Sequence, residues 1–176
     1  MGPMAVAVVG VMATTTIGSI RSIRSIRSSE SNEPTELLFE SSVARVSIQR
    51  CASPVPSHLT IEALENSSHP DAFTIDGVLN ATIALLEEGD PFRTTWDLRH
   101  CVVPNAVTVF RVCRWAILEK RRLDRCNVRL AVVLPPTRVT LLAVVNAVLG
   151  AFGPRCPTLV TGDPDAASGF MEAKEE

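Results

Sequence analysis

His100 and Cys101 are neighbouring residues whose side chains could carry out chemistry, as a proton acceptor and as a nucleophile. They follow a predicted strand over 94–98, which Asp97 helps to end, and they precede a predicted helix. Ligands favour the carboxyl end of a parallel strand, and a helix N-terminus lowers the pKa of a thiol. Adjacent residues rarely form a working nucleophile–base pair, however, and no oxyanion-hole glycine turn accompanies these two. We therefore expect a ligand contact or an inert loop here rather than catalysis.

The cysteines do not form a metal-binding or disulfide pattern. No pair has the C-x₂₋₄-C spacing of a zinc site, and an odd number suits a disulfide framework poorly. The five residues are Cys51, Cys101, Cys113, Cys126 and Cys156. Neither glycine-rich phosphate-binding pattern, G-x-x-x-x-G-K or G-x-G-x-x-G, occurs. We predict a non-enzymatic, intracellular protein with reduced thiols and with neither a cofactor nor a bound metal.

The predicted helix over 105–124 carries a cluster of basic side chains. Those that fall near one side at helical spacing are Arg111, Arg114, Arg121, Arg122 and Arg125, joined by Lys120. The whole chain has a net charge of -2, so the positive charge is a local excess. Trp115 and Leu118 lie beside it, and an aromatic residue flanked by arginine is typical of an interface. The pattern indicates a docking surface for phosphate groups, anionic lipid or an acidic partner, with a solvated helix face as the alternative.

Hydrophobic periodicity predicts the elements that position these residues. Alternating apolar residues indicate strands over 44–48 and 59–63, which we expect to pair as an antiparallel hairpin. Helices and strands then alternate over 74–88, 94–98, 105–124, 128–134, 137–150, 158–160 and 164–173. Two strands joined by a helix lie parallel, with a right-handed crossover. The order ββαβαβαβα predicts a single α/β domain over 37–173 with a mixed, mainly parallel sheet, between a tail over 1–36 and a charged tail over 174–176.

The N-terminal segment differs in composition from the rest of the chain. The tripeptide Ser-Ile-Arg repeats from Ser19 onward, and no acidic residue occurs before Glu30. This composition is typical of a disordered tail or of an organelle-targeting peptide. No apolar run reaches the roughly 18 residues of a transmembrane helix. We expect a cytoplasmic protein, with organelle targeting by the tail as the alternative, and the overall charge gives no indication of a nucleic-acid partner.

Three segments resemble the STAS family, the domain of bacterial anti-sigma-factor antagonists and of the cytoplasmic tails of sulfate transporters. GDPFRTTWDLRHCVVPNAV resembles the family's strand ending in Asp-Leu and its loop, CNVRLAVVLPP its central strand, and PTLVTGDPDAASGFM its last strand and helix. The resemblance covers residues 59–171 and implies a STAS-like domain that usually binds proteins, and in some members nucleotides or lipids, without catalysis. Antagonist members carry a phosphorylatable serine after the Asp-Leu strand, whereas this chain has Pro104, Asn105 and Ala106. No phosphorylation switch is expected.

Two functions of different classes remain open. The first is a non-catalytic, STAS-like interaction or regulatory domain, whose candidate binding residues are His100, Cys101, Asn105, Arg111, Arg114 and Trp115. The second is a carrier of a small ligand or lipid, in which the apolar helix over 139–152 forms a pocket wall. Eukaryotic lipid-carrying domains of the CRAL-TRIO type have a comparable layout. A closed core favours the interaction domain, whereas an apolar cavity of some hundreds of Å³ favours the carrier.

Overall fold

The computed structural model describes residues 34–52, 54–64, 72–135 and 137–173. The N-terminal tail that the sequence predicts therefore lies almost entirely outside the described residues. The elements are, in chain order, β1 (Thr35–Glu40), β2 (Ala44–Gln49), β3 (Ser57–Ala63), α1 (Ala72–Glu88), β4 (Phe92–Asp97), α2 (Ala106–Leu118), α3 (Lys120–Cys126), β5 (Asn127–Val133), α4 (Val139–Phe152), β6 (Thr158–Thr161) and α5 (Pro164–Glu172). The prediction of one α/β domain with a mixed sheet is confirmed.

The strands form a single sheet in the order in which they occur along the chain. β1, β2 and β3 are antiparallel neighbours, as the predicted hairpin requires for β2 and β3. β3, β4, β5 and β6 pair in parallel, because a helix crosses over between each strand and the next. The site is built on this parallel half, where the carboxyl ends of the strands meet the beginnings of α1, α2 and α4.

The predicted order ββαβαβαβα omits β1, the strand at the edge of the sheet. Its apolar residues, Leu37, Leu38 and Phe39, are consecutive and do not alternate with polar ones. A register shift between Leu37 and Phe39 allows both Leu38 and Phe39 to pack against the core. A bulge of this kind removes the period of two on which strand prediction rests. The sheet also begins at Thr35, just before the predicted domain boundary.

β5 is the central parallel strand and is buried on both faces, as its apolar sequence predicts. Leu130 and Val132 pack with Leu141 of α4, while Ala131 and Val133 pack with α5 on the opposite face. Successive strand residues point to opposite faces, so α1, α2, α3 and α4 cover one face and α5 covers part of the other.

The predicted helix over 105–124 is in fact two helices, separated at Glu119. The backbone of Glu119 has φ −92° and ψ 4°, and its N–H donates to the carbonyl of Trp115, which closes α2. α3 then starts at Lys120 and buries Leu123 and Cys126. The break separates Arg111 and Arg114 on α2 from the other predicted basic residues. None of the described helices is long and apolar enough to cross a membrane.

Candidate ligand cavity and the outer face of helix α2

A cavity of about 220 Å³, partly open to solvent, lies between the sheet and the helices on its more heavily covered face. Thr94 and Trp96 of β4, with Leu130 and Val132 of β5, line it from the sheet. α2 forms a wall and packs against α1, α3 and α4, so it is held away from the strands. The space beneath this helix is the cavity.

The helical walls are apolar. From α2 and α4, the lining side chains include Val109, Val112, Ala116, Leu141, Val145 and Leu149. The helix over 139–152 is therefore a cavity wall, as the carrier alternative expects. Because apolar residues occur nearly all round it, the sequence predicts a helix that its neighbours cover on almost all sides, and that prediction is wrong. Only Leu141 is fully buried among its residues, and Val139 and Leu142 are exposed and do not line the cavity.

The polar groups of the cavity are few and largely bonded within the protein. Thr94 Oγ1 donates to Asn127 Oδ1 at 3.2 Å, and Thr82 Oγ1 donates to the carbonyl of Val78 at 3.0 Å. Among the described residues, Glu62 is the one charged residue in the lining, and its carboxylate faces Arg45 at 3.5 Å. No described arginine, lysine or histidine lines the cavity. An anionic ligand would therefore lose its hydration without gaining a counter-charge.

Both tryptophans of the chain, Trp96 and Trp115, line the cavity. The sequence predicts that Trp115 is an exposed neighbour of the arginines. In the structure it is half-buried instead. Its Nε1 is inaccessible to solvent and finds no hydrogen-bond acceptor among the described residues. The two indole rings contribute aromatic surface to the cavity and provide a fluorescent reporter of anything that enters.

The predicted residues around the β4–α2 loop have separate roles. Cys101 lines the cavity, while His100 is exposed in the turn before it. Burial raises the pKa of the Cys101 thiol above its usual value, although the charge of Arg138 opposes this. The thiol is therefore neutral and a weak nucleophile, not the thiolate that a helix N-terminus would favour. Arg138 Nη1 donates to the Cys101 carbonyl, which ties the loop to the start of α4.

Asn105 is the N-cap of α2. Its Oδ1 accepts a hydrogen bond from the backbone N–H of Thr108 at 2.9 Å, so one of the free amides at the helix start is satisfied. Thr108 is buried and also lines the cavity. Asn105 therefore holds the first turn of the cavity wall in place.

The predicted basic residues differ in their pairing. Arg111 bonds to Asp76 of α1 at 2.9 Å, and Arg122 bonds to Glu119 at 3.1 Å. Lys120 bonds to Asp124 at 2.9 Å. Three exposed arginines have no ion pair or hydrogen bond from their side chains among the described residues, and they are Arg114, Arg121 and Arg125.

The side of α2 that faces solvent is apolar as well as basic. Phe110 and Ile117, which the periodicity places against the sheet, are 66% and 56% exposed. By helical spacing they lie on one stripe with three more exposed residues, and this outer face of α2 is made of Val107, Phe110, Arg114, Ile117 and Leu118. The exposed Arg121 follows this face in the chain, on α3. Hydrophobic periodicity predicts an inward face of Ala106, Val109, Phe110, Cys113, Ala116 and Ile117. This is confirmed for Val109 and Ala116, which line the cavity, and wrong for Phe110 and Ile117, because apolar residues occur on both sides of the helix.

The other face of the sheet is polar where α5 does not cover it. His58 Nε2 lies 2.8 Å from Thr95 Oγ1, and burial together with the charge of Arg93 lowers the pKa of His58 below its usual 6.5. Arg45 pairs with Glu40 at 2.8 Å and more distantly with Glu62. Arg45 is thus neutralised by carboxylates on this surface. Within the described ranges no three His, Cys, Asp or Glu side chains are grouped to hold a metal ion.

Comparison of the chain with protein-family models, curated proteins and solved structures found no match.

Proposed function

We propose that this domain binds a small, neutral, apolar molecule in the cavity beneath α2, as a carrier and without catalysis. The observation that supports this function is the cavity itself, about 220 Å³ in volume, with almost no free polar group in its lining. Of the two functions that the sequence leaves open, an apolar cavity of this size favours the carrier.

The cost of leaving such a space empty supports an occupant. A residual cavity in a protein core costs about 24 cal/mol per Å³, so a closed void of this volume would cost up to about 5 kcal/mol. The total stability of a domain is only about 5–15 kcal/mol. Because the cavity is partly open, the actual cost is smaller, yet an apolar ligand that fills it stabilises the fold through burial and mass action.

The size and chemistry of the lining define the ligand class. An engineered apolar cavity of about 150 Å³ in another protein stays dry and binds benzene, so this larger space admits a compact hydrocarbon of about ten carbon atoms. The absence of a basic side chain from the described lining disfavours fatty acids and other anions. The ligand is therefore a neutral, largely hydrocarbon molecule.

Binding is tested by titrating the purified full-length protein with 1-bromoadamantane and measuring tryptophan fluorescence. The bromine atom quenches an indole that it touches, and both tryptophans line the cavity. We expect saturable quenching with one site per chain. A variant with Phe110→Ser and Leu118→Ser serves as the control for adsorption to the surface and should be quenched normally. The absence of saturable quenching in the unmodified protein would refute the function.

The second candidate function is the non-catalytic, STAS-like interaction domain that the sequence suggests. It is supported by the outer face of α2, where large apolar residues and arginines without ion-pair partners in the described chain lie side by side. A protein that gives no quenching with the bromo-hydrocarbon, but that loses a defined protein partner on Phe110→Ser and Leu118→Ser, would favour this candidate over the carrier.

A further inference from the structure

The outer face of α2 combines exposed apolar residues with unpaired positive charge. Phe110 and Leu118 are 66% and 70% exposed, and they are separated by two helical turns that bring them to the same side. Arg114 lies between them in the chain, and Arg121 is exposed three residues after Leu118, on α3. A soluble domain rarely exposes so many large apolar side chains on one helix without a use for them.

The electrostatics of this face differ from those of the rest of the domain. On the antiparallel half of the sheet, arginines pair with carboxylates, as Arg45 does with Glu40 and Arg50 does with Glu88. Arg114, Arg121 and Arg125 have no acidic partner among the described residues, although the whole chain carries a net charge of -2. The face is therefore complementary to an anionic surface.

We propose that the outer face of α2 docks the domain on an anionic lipid surface. A helix that presents Phe, Leu and Ile together with arginine has the composition of helices that lie in the membrane interface, where the apolar side chains enter the lipid and the charges meet the headgroups. The choice of lipid over an acidic protein rests on the proposed function. α2 is also the wall of the cavity, so docking by its outer face brings a site for neutral hydrocarbon next to the phase in which such molecules dissolve.

The test is co-flotation of the full-length protein with vesicles of phosphatidylcholine, alone or mixed with phosphatidylserine. We expect binding to the anionic vesicles that weakens as salt is added. The double variant Arg114→Gln and Arg121→Gln should bind about 25-fold more weakly, since each arginine near such a surface contributes about fivefold. Arg45→Gln with Arg50→Gln removes the same charge from the antiparallel half of the sheet and should bind as the unmodified protein does.

The apolar contribution is tested separately. Phe110→Ser with Leu118→Ser should reduce vesicle binding at least about tenfold, because the inserted apolar area is lost. Val55→Ser, at an exposed apolar position outside α2, should leave vesicle binding unchanged. Vesicle binding that survives both pairs of substitutions on α2 and α3, or the absence of vesicle binding at low salt, would overturn the proposal. Binding to polyglutamate without binding to vesicles would also overturn it, in favour of an acidic protein. Quenching by 1-bromoadamantane in a protein that ignores vesicles would leave the cavity function standing.

Discussion

Replacing Ala116 with leucine measures whether the space beneath α2 is empty in solution. Ala116 is a buried residue of α2, 6% exposed, and it lines the cavity. Leucine is nearly as good a helix former as alanine, so the backbone cost is small. At about 0.8 kcal/mol for each buried carbon group, the added carbons contribute up to about 2 kcal/mol of stability if they enter the cavity.

Ala167 provides a matched control. It is also a buried helical alanine, 2% exposed, but it packs in the closed cluster between α5 and β5 with Met171 and does not line the cavity. Ala167→Leu overfills that cluster and should cost about 1–3 kcal/mol. We therefore expect the two variants to differ by about 3 kcal/mol, which at about 2–4 °C per kcal/mol separates their melting temperatures by roughly 6–12 °C.

The assay is thermal unfolding of both variants beside the unmodified protein, followed by titration with 1-bromoadamantane. Ala116→Leu should be at least as stable as the parent and should lose quenching, because leucine occupies part of the ligand's space. Ala167→Leu, where it remains folded, should keep the quenching. If Ala116→Leu lowers the melting temperature as far as Ala167→Leu does, the side chain meets a filled core, and the cavity argument is refuted.

Three further predictions concern the surrounding fold. Gly77→Ala should destabilise the protein although alanine is the better helix former, because the added Cβ would lie 2.1 Å from the ring of Phe39. Gly150→Ala, where no atom lies near the added Cβ, should stabilise the protein by up to about 1 kcal/mol. Urea unfolding of both variants compares these effects. Asn105→Ala should cost about 1 kcal/mol through loss of the N-cap of α2, and Asn105→Asp should restore most of it, since aspartate caps equally well. Because burial lowers the pKa of His58 in the folded state, the unfolded chain binds the proton more readily, and stability should fall as the pH drops below about 6.5. His58→Gln should reduce this loss of stability between about pH 7.5 and about pH 5.5. If the melting temperature of this variant depends on pH as that of the unmodified protein does, His58 is not the group responsible.

Much of the parallel half of the fold could be predicted because its signals are local. Gly89 follows α1 with φ 81°, a conformation that glycine adopts freely, and it marks the end of that helix as the sequence indicates. Asp163 caps α5 by accepting from the N–H of Asp165 at 2.9 Å, ahead of a proline in the first turn. The apolar run of β5 predicts a strand buried on both faces, and it is one.

The orientation of α2 could not be predicted in the same way, because periodicity requires a polar side for contrast. Val109 and Ala116 face the cavity, while Phe110 and Ile117, one position along, face solvent. Either pair satisfies a helical spacing. The size of Trp115 was the available signal, since the largest apolar side chain of a helix is more often turned inward. A cavity, moreover, is a space that no residue type specifies, so only the packing of α2 against its neighbours reveals it.

A crystal structure of the protein with 1-bromoadamantane, recorded at the bromine absorption edge, shows whether the cavity takes up a hydrocarbon. We expect one anomalous peak within the cavity, between Ala116 of α2, Val132 of β5 and Leu141 of α4. A peak on the outer face of α2, or a cavity closed by repacked side chains with no bromine inside, would contradict it.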